Sequence, residues 1–199
     1  MKTAEPSDFS SQTVADFCER VAARTSAPGG GSVAAIVAGF AASLAAQTAR
    51  FSADHWEDAA GAVAQAEALR ARVLPLADED ARAYESFLLA RRMPEQVETE
   101  VRDAAIGAAL SRAAEVPLAI AEAALDVASL ACELAERGNQ NLRGDAATAV
   151  LLAEAAVRAT ANFVEINLGM REEDERVARA RELVEMSRRI SRQVLEPEA

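Results

Sequence analysis

The sequence is poor in the side chains that most often carry chemistry, with one histidine, two cysteines, one tryptophan and one tyrosine. A metal site needs several histidines, cysteines or carboxylates at ligand spacing, and His55 stands alone, so no metal is expected. No Ser-His-Asp or Cys-His arrangement can be assembled, which leaves carboxylates, amides and backbone dipoles for any catalysis. Cys18 and Cys132 lie far apart in helical patterns, form no Cys-x-x-Cys pair, and read as two buried thiols in a reducing compartment. Basic residues are scarce as well, 21 against 32 acidic ones, for a net charge of −11. Such a surface is poorly suited to displacing counterions from nucleic acid and is repelled by an anionic membrane, so neither partner is expected. The first residues carry no apolar stretch of the signal-peptide kind, and a cytoplasmic location is expected.

Aromatic residues make up only 4% of the chain although hydrophobic residues reach 51%, because alanine is the largest part of the latter. Alanine combines the best helix propensity with the least bulk, whereas strands favour β-branched and aromatic residues. The composition therefore predicts an all-α fold, a single-domain bundle of long, closely packed helices over residues 1–199, with residues 1–9 flexible. Residues 25–49 contain no charge and are long enough to span a bilayer. Their content is small and polar, and Ser32, Ala35, Gly39 and Ser43 would let another backbone approach, so the segment reads as a buried central helix.

The periodicity predicts about six helical segments. The first covers about 11–24, capped by Ser10 or Ser11, with Val14, Phe17, Cys18 and Val21 on its apolar face. A glycine-rich turn then opens the buried helix, 32–51. A long third helix runs 56–91 with a bend at Pro75. The fourth runs 95–137 with a kink at Pro117 and a C′ glycine at Gly138. The fifth ends near Leu168. The sixth, 172–195, is amphipathic through Val177, Ala180, Leu183, Val184, Ile190 and Val194. One chain of this shape cannot cover all its apolar faces, so a homodimer is expected.

Leu69, Val73, Leu76, Asp80, Tyr84 and Phe87 fall on one stripe of the third helix, with Asp80 where an apolar residue belongs. Asp78 and Glu79 lie off the stripe and read as solvated, with Asp78 placed to pair with Arg82. A carboxylate inside an apolar stripe is costly unless paired, bonded or protonated. Desolvation raises its pKa toward what a general acid/base requires; a hydrogen bond to Tyr84 or to another helix accounts for it equally. Pro28, Gly29, Gly30, Gly31 and Ser32 form either a tight helix–helix turn or a set of N–H groups able to hold an anion or carbonyl oxygen. Asn139 and Asp145 lie in the polar connection after Gly138, as loop and cap residues or as ligand contacts. Asn162 falls on the stripe Leu151, Ala155, Ala159 and Ile166, with Asn167 beside it. Buried amides either recognise the amide edge of a heterocycle or bond a backbone carbonyl.

Five motifs then occur in order. They are Ala27-Pro28-Gly29-Gly30-Gly31-Ser32, Asp78-Glu79-Asp80-Ala81, Val116-Pro117-Leu118, Gly138-Asn139 followed by Asp145, and Asn162-Phe163-Val164-Glu165-Ile166-Asn167-Leu168. In order and spacing, from about Val14 to Arg189, they resemble the cyclodeaminase domain of the formiminotransferase-cyclodeaminase family, whose last pattern is Asn-Val-x-Ile-Asn-Leu. The resemblance implies an all-helical dimer that takes a tetrahydrofolate derivative as substrate, as a 5-formimino-tetrahydrofolate cyclodeaminase or a 5,10-methenyl-tetrahydrofolate cyclohydrolase. It further implies that Asp80 is the proton donor/acceptor, and that a separate formiminotransferase would supply any formimino-folate. Two departures stand out: Met93-Pro94-Glu95 replaces a Leu-Pro-Lys, and residues 47–58 lack the Thr-Tyr-Gly-basic pattern. They favour the alternative of a non-catalytic ligand-binding dimer of the same fold.

Overall fold

The computed structural model describes residues 8–94, 96–169 and 173–196; Glu95 lies outside them. The helices are α1 (Val14–Ala22), α2 (Gly30–Arg50), α3 (Ala59–Val73), α4 (Leu76–Arg91), α5 (Thr99–Arg137), α6 (Arg143–Asn167) and α7 (Glu175–Leu195). Two short 3₁₀ turns, Phe9–Ser11 and Gln140–Leu142, precede α1 and α6, and the described residues contain no strand. The all-α expectation holds.

Helix α2 is the centre of the bundle, packed by α3, α4, α5 and α6. That placement accounts for the absence of charge from residues 30–49. Its alanines enter two apolar clusters: Ala41, Ala42, Ala45, Ala46 and Ala49 pack with α3, α5 and α6, while Ala34, Ala35, Ile36 and Ala38 pack with α4, α5, α6 and α7. Side chains this small let helix backbones approach closely, and the price is sensitivity to any added methyl group. Helix α7 closes the far side with Val177, Ala180, Leu183 and Val194 buried, as its amphipathic pattern predicted.

Several expectations are corrected. The predicted third helix is two helices: Pro75 has no N–H to give, and α3 ends at Val73 while α4 begins at Leu76. Helix α1 is capped by Thr13, whose hydroxyl accepts the Asp16 N–H at 3.1 Å, and not by Ser10 or Ser11. It has no buried residue; Val14 is 64% exposed, and Cys18 is exposed where a buried thiol was expected. Phe17 packs on Phe9, ring centroids 5.7 Å apart, but among the described residues the rest of the apolar face, Val14, Cys18 and Val21, is left exposed. Cys132 is buried, and desolvation, aided by Glu136, raises its thiol pKa. Phe9 is no flexible end: it is buried in the core beside α4.

Gly138 ends α5 in an extended conformation, φ −76°, so it is not a left-handed C′ residue. Glycine is required there by close approach, since a Cβ would lie 2.6 Å from the Leu134 carbonyl oxygen and 2.7 Å from Ser52 Oγ. Ser52 Oγ also accepts the Asn139 N–H at 2.9 Å, so this contact ties the α5–α6 connection to the end of α2. Gly138→Ala is expected to cost about 1–3 kcal/mol, as overpacking against backbone does. Urea denaturation would show it as a lowered midpoint with an unchanged m-value.

Candidate active site

The glycine-rich turn and the first part of α4 meet at the N-terminal end of α2. Gly29 is the N-cap residue, and Gly30, Gly31 and Ser32 form the first turn, so helix α2 starts two residues earlier than the sequence suggested. Ser32 is fully buried; its hydroxyl donates to the Ala77 carbonyl at 2.8 Å and faces Asp80 Oδ2 at 3.1 Å. Asp80 Oδ1 lies so close to Gly31 that a Cβ there would come within 2.1 Å. The carboxylate is thus half-buried against a bare backbone. Burial raises its pKa above the ordinary 3.8, while hydrogen bonds from Ser32 work in the opposite direction.

The stripe that singled out Asp80 is only partly a core stripe. Leu69 and Val73 on α3 are buried, but beyond Pro75 the buried face of α4 is Ala77, Asp78, Ala81 and Ala83. Tyr84 is 45% exposed; its ring sits 6.3 Å from that of Phe87, and it makes no bond to Asp80. Asp78 was misread as solvated and paired with Arg82. It is buried, and both its oxygens accept the Phe9 N–H at 3.3 Å, anchoring the N-terminal turn to α4. Glu79 pairs with Arg112 on α5 at 3.1 Å.

Pro28, preceded by a cis peptide, is buried just before the turn. Asn139 and Asp145 are not brought to it. Asn139 donates from Nδ2 to the Phe51 carbonyl at 3.1 Å and accepts the Asn141 N–H at 3.0 Å, a loop role. Asp145 sits in the first turn of α6. Both lie at the other end of α2, about 30 Å from Ser32 at 1.5 Å per residue. Asn167 makes a structural bond, Nδ2 to the Ala113 carbonyl at 2.6 Å. Asn162 is exposed in a groove between α6 and α7 that also holds Arg158, Glu165, Arg181 and Arg188.

The residue of α6 that does reach the turn is the apolar Phe163. A Cβ at Gly30 would lie 2.7 Å from its Cζ. Counted back from Ile166-Asn167-Leu168, the leading asparagine of the family's six-residue pattern falls on Phe163 and not on Asn162. Among the described residues no cluster of three or more histidines, cysteines or carboxylates forms a metal site.

The fold and the sequence have counterparts among known proteins. Residues 13–186 match the family described as formiminotransferase-cyclodeaminase. A methenyltetrahydrofolate cyclohydrolase of Methylorubrum extorquens is 30% identical over 78% of this chain and 79% of its own length. The formimidoyltransferase-cyclodeaminase of Sus scrofa is 34% identical over 76% of this chain, which spans only 30% of that longer protein. The crystal structure of a formiminotetrahydrofolate cyclodeaminase from Thermotoga maritima superposes with a TM-score of 0.81 at 28% identity, covering 94% of this chain and 97% of that one. The chain belongs to the formiminotransferase-cyclodeaminase family.

Proposed function

We propose that this protein opens or closes the five-membered ring that bridges two nitrogens of tetrahydrofolate, as a cyclodeaminase or a methenyl-tetrahydrofolate cyclohydrolase, with Asp80 as general acid/base. The observation that carries the reading is the Asp80 carboxylate, half-buried against Gly31, hydrogen-bonded by Ser32, and raised in pKa by desolvation. In cyclodeamination the anilino nitrogen attacks the formimino carbon, and the tetrahedral intermediate expels ammonia. One proton leaves the attacking nitrogen and one must reach the leaving nitrogen; a single carboxylate near its own pKa performs both transfers. In hydrolysis the same group takes a proton from the water that adds to the bridging carbon and returns it to the ring nitrogen whose C–N bond breaks, and the remaining hydroxyl proton is released to solvent as the formyl carbonyl forms.

The test is to incubate the protein with 5,10-methenyl- and with 5-formimino-tetrahydrofolate, following methenyl absorbance and ammonia. Loss or gain of the methenyl chromophore identifies the direction, and ammonia marks the deaminase. Binding of either folate without turnover transfers the weight to a ligand-binding dimer, the reading favoured by the departures around residues 47–58 and at Glu95. Binding of neither folate at micromolar concentration removes the functional reading altogether.

The working unit of this proposal is a homodimer. The outer strip of α2 carries Val33, Val37, Phe40, Leu44 and Phe51 with no charge among them, and Phe40 is 48% and Phe51 62% exposed. Helix α6 shows Leu151 and Ile166 in the same condition. For a chain of net charge −11, uncharged surface is where a second copy meets least repulsion. Light scattering on a gel-filtration column should give twice the chain mass. Phe40→Glu, a change at a residue 48% exposed, should shift it to one with the helical content unchanged, and a monomeric wild type at micromolar concentration would sink the dimer.

A further inference from the structure

Phe163 is a half-buried aromatic residue that the core does not use. It belongs to none of the three apolar clusters, and the aromatic pairs among the described residues do not include it. Its contact with α2 is made by the tip of the ring: a Cβ at Gly30 would lie 2.7 Å from Cζ and 3.0 Å from Cε2. A tip-on contact leaves both ring faces uncovered by the glycine.

The next residue, Gly31, is the one whose missing Cβ makes room for Asp80. Consecutive Cα atoms are 3.8 Å apart, so the ring tip and the carboxylate flank one turn with no more than about 12 Å between them. That is an upper bound on the separation, and one fused two-ring heterocycle is small enough to lie within it beside the carboxylate. In a tetrahydrofolate the reacting carbon is bonded to a nitrogen of the pterin ring itself, so a carbon held at Asp80 places the pterin within this span.

We infer that Phe163 is the stacking platform for the pterin of the substrate; the inference rests on the folate reading above. A flat ring presents its face to an aromatic partner in an offset or edge-on arrangement, worth about 0.5–1.5 kcal/mol beyond area burial. A polar side chain at this position would address the heterocycle through hydrogen bonds at its edge. Phenylalanine exchanges that for dispersion and quadrupole contact. The binding preference should therefore be tolerant of changes in the pterin's polar substituents and intolerant of loss of the aromatic ring.

Phe163→Leu and Phe163→His distinguish this role from simple space filling. Leucine keeps an apolar side chain of somewhat smaller volume, but it has no ring face and stops short of the ring tip that meets Gly30. Phe163→Leu should raise KM for the methenyl or formimino substrate roughly three- to tenfold, with kcat and melting temperature unchanged. Phe163→His, which keeps a flat aromatic face and adds nothing at the ring tip that meets Gly30, should keep KM near the wild-type value. An unchanged KM in the leucine variant overturns the stacking role and leaves the folate reading standing. So does a raised KM that comes with a lowered melting temperature and is not rescued by histidine, which would assign Phe163 to structure alone. A wild-type protein that neither binds nor turns over either folate overturns both readings together.

Discussion

Asp80→Asn is expected to cut turnover of the methenyl or formimino substrate by roughly 10²–10⁴-fold, the usual contribution of a positioned general acid/base. The substitution is nearly isosteric. Its amide oxygen still accepts the Ser32 hydroxyl, and its size still suits the gap left by Gly31. What disappears is the ability to take up and release a proton. Circular dichroism and melting of the variant should match a folded protein, while methenyl absorbance and ammonia stay at background. A variant that keeps more than a tenth of the wild-type rate removes Asp80 from the chemistry.

The same substitution makes a pH prediction whose sign follows from the raised pKa. In the unfolded chain Asp80 titrates near its ordinary 3.8; in the folded protein it titrates higher, because burial penalises the charged form. Between those two values the folded state binds more protons than the unfolded one, so stability falls as pH rises. Above the folded pKa the full cost of the buried charge is present. Asp80→Asn removes that cost, so its melting temperature should equal or exceed the wild type's at neutral pH, with the difference closing as pH falls toward 3.8. A site held at an energetic cost and relieved by an inactivating change is the usual trade between stability and activity. The acid limb of kcat/KM should correspondingly lie above that of an unperturbed aspartate.

Helix class and most helix positions were legible because they depend on local composition and period. Asp80 was legible too, though for a reason only half right. The apolar stripe around it is not a core stripe beyond Pro75, and the burial of its carboxylate comes from Gly31 and Ser32, which no helical periodicity contains. Asp78 shows the same limit from the other side. An i,i+4 pairing with Arg82 was locally available, but the Phe9 N–H, 69 residues away in sequence, won. A buried carboxylate holding a backbone donor outweighs an exposed ion pair worth little in water. In α1 and on the Leu151–Ile166 stripe of α6, periodicity correctly found an apolar face but carried no information on whether anything covers it. Phe163 was missed because an aromatic residue in a helix reads as core; only its absence from every cluster distinguishes it.

Gly31→Ala should be the most informative change outside the carboxylate itself. The new methyl group would stand 2.1 Å from Asp80 Oδ1 and 2.5 Å from Cγ, far inside contact distance. Either the carboxylate rotates away, losing the Ser32 hydroxyl, or α2 and α4 separate, and the second route disturbs the alanine packing of Ala34, Ala35, Ala77 and Ala81. Rotation moves fewer atoms, so activity should fall further than stability. The expected result is a loss of at least a hundredfold in kcat/KM, since displacement by an ångström is enough to uncouple a general acid/base. The stability cost is about 1–3 kcal/mol, offset by about 1 kcal/mol from the better helix propensity of alanine. A double-mutant cycle separates the two routes. If the clash is with the carboxylate, Gly31→Ala in an Asp80→Ala background should cost nothing further and should gain the propensity term. If the same destabilisation persists there, the methyl group is pushing the helices apart, and Gly31 serves their packing more than the placement of Asp80.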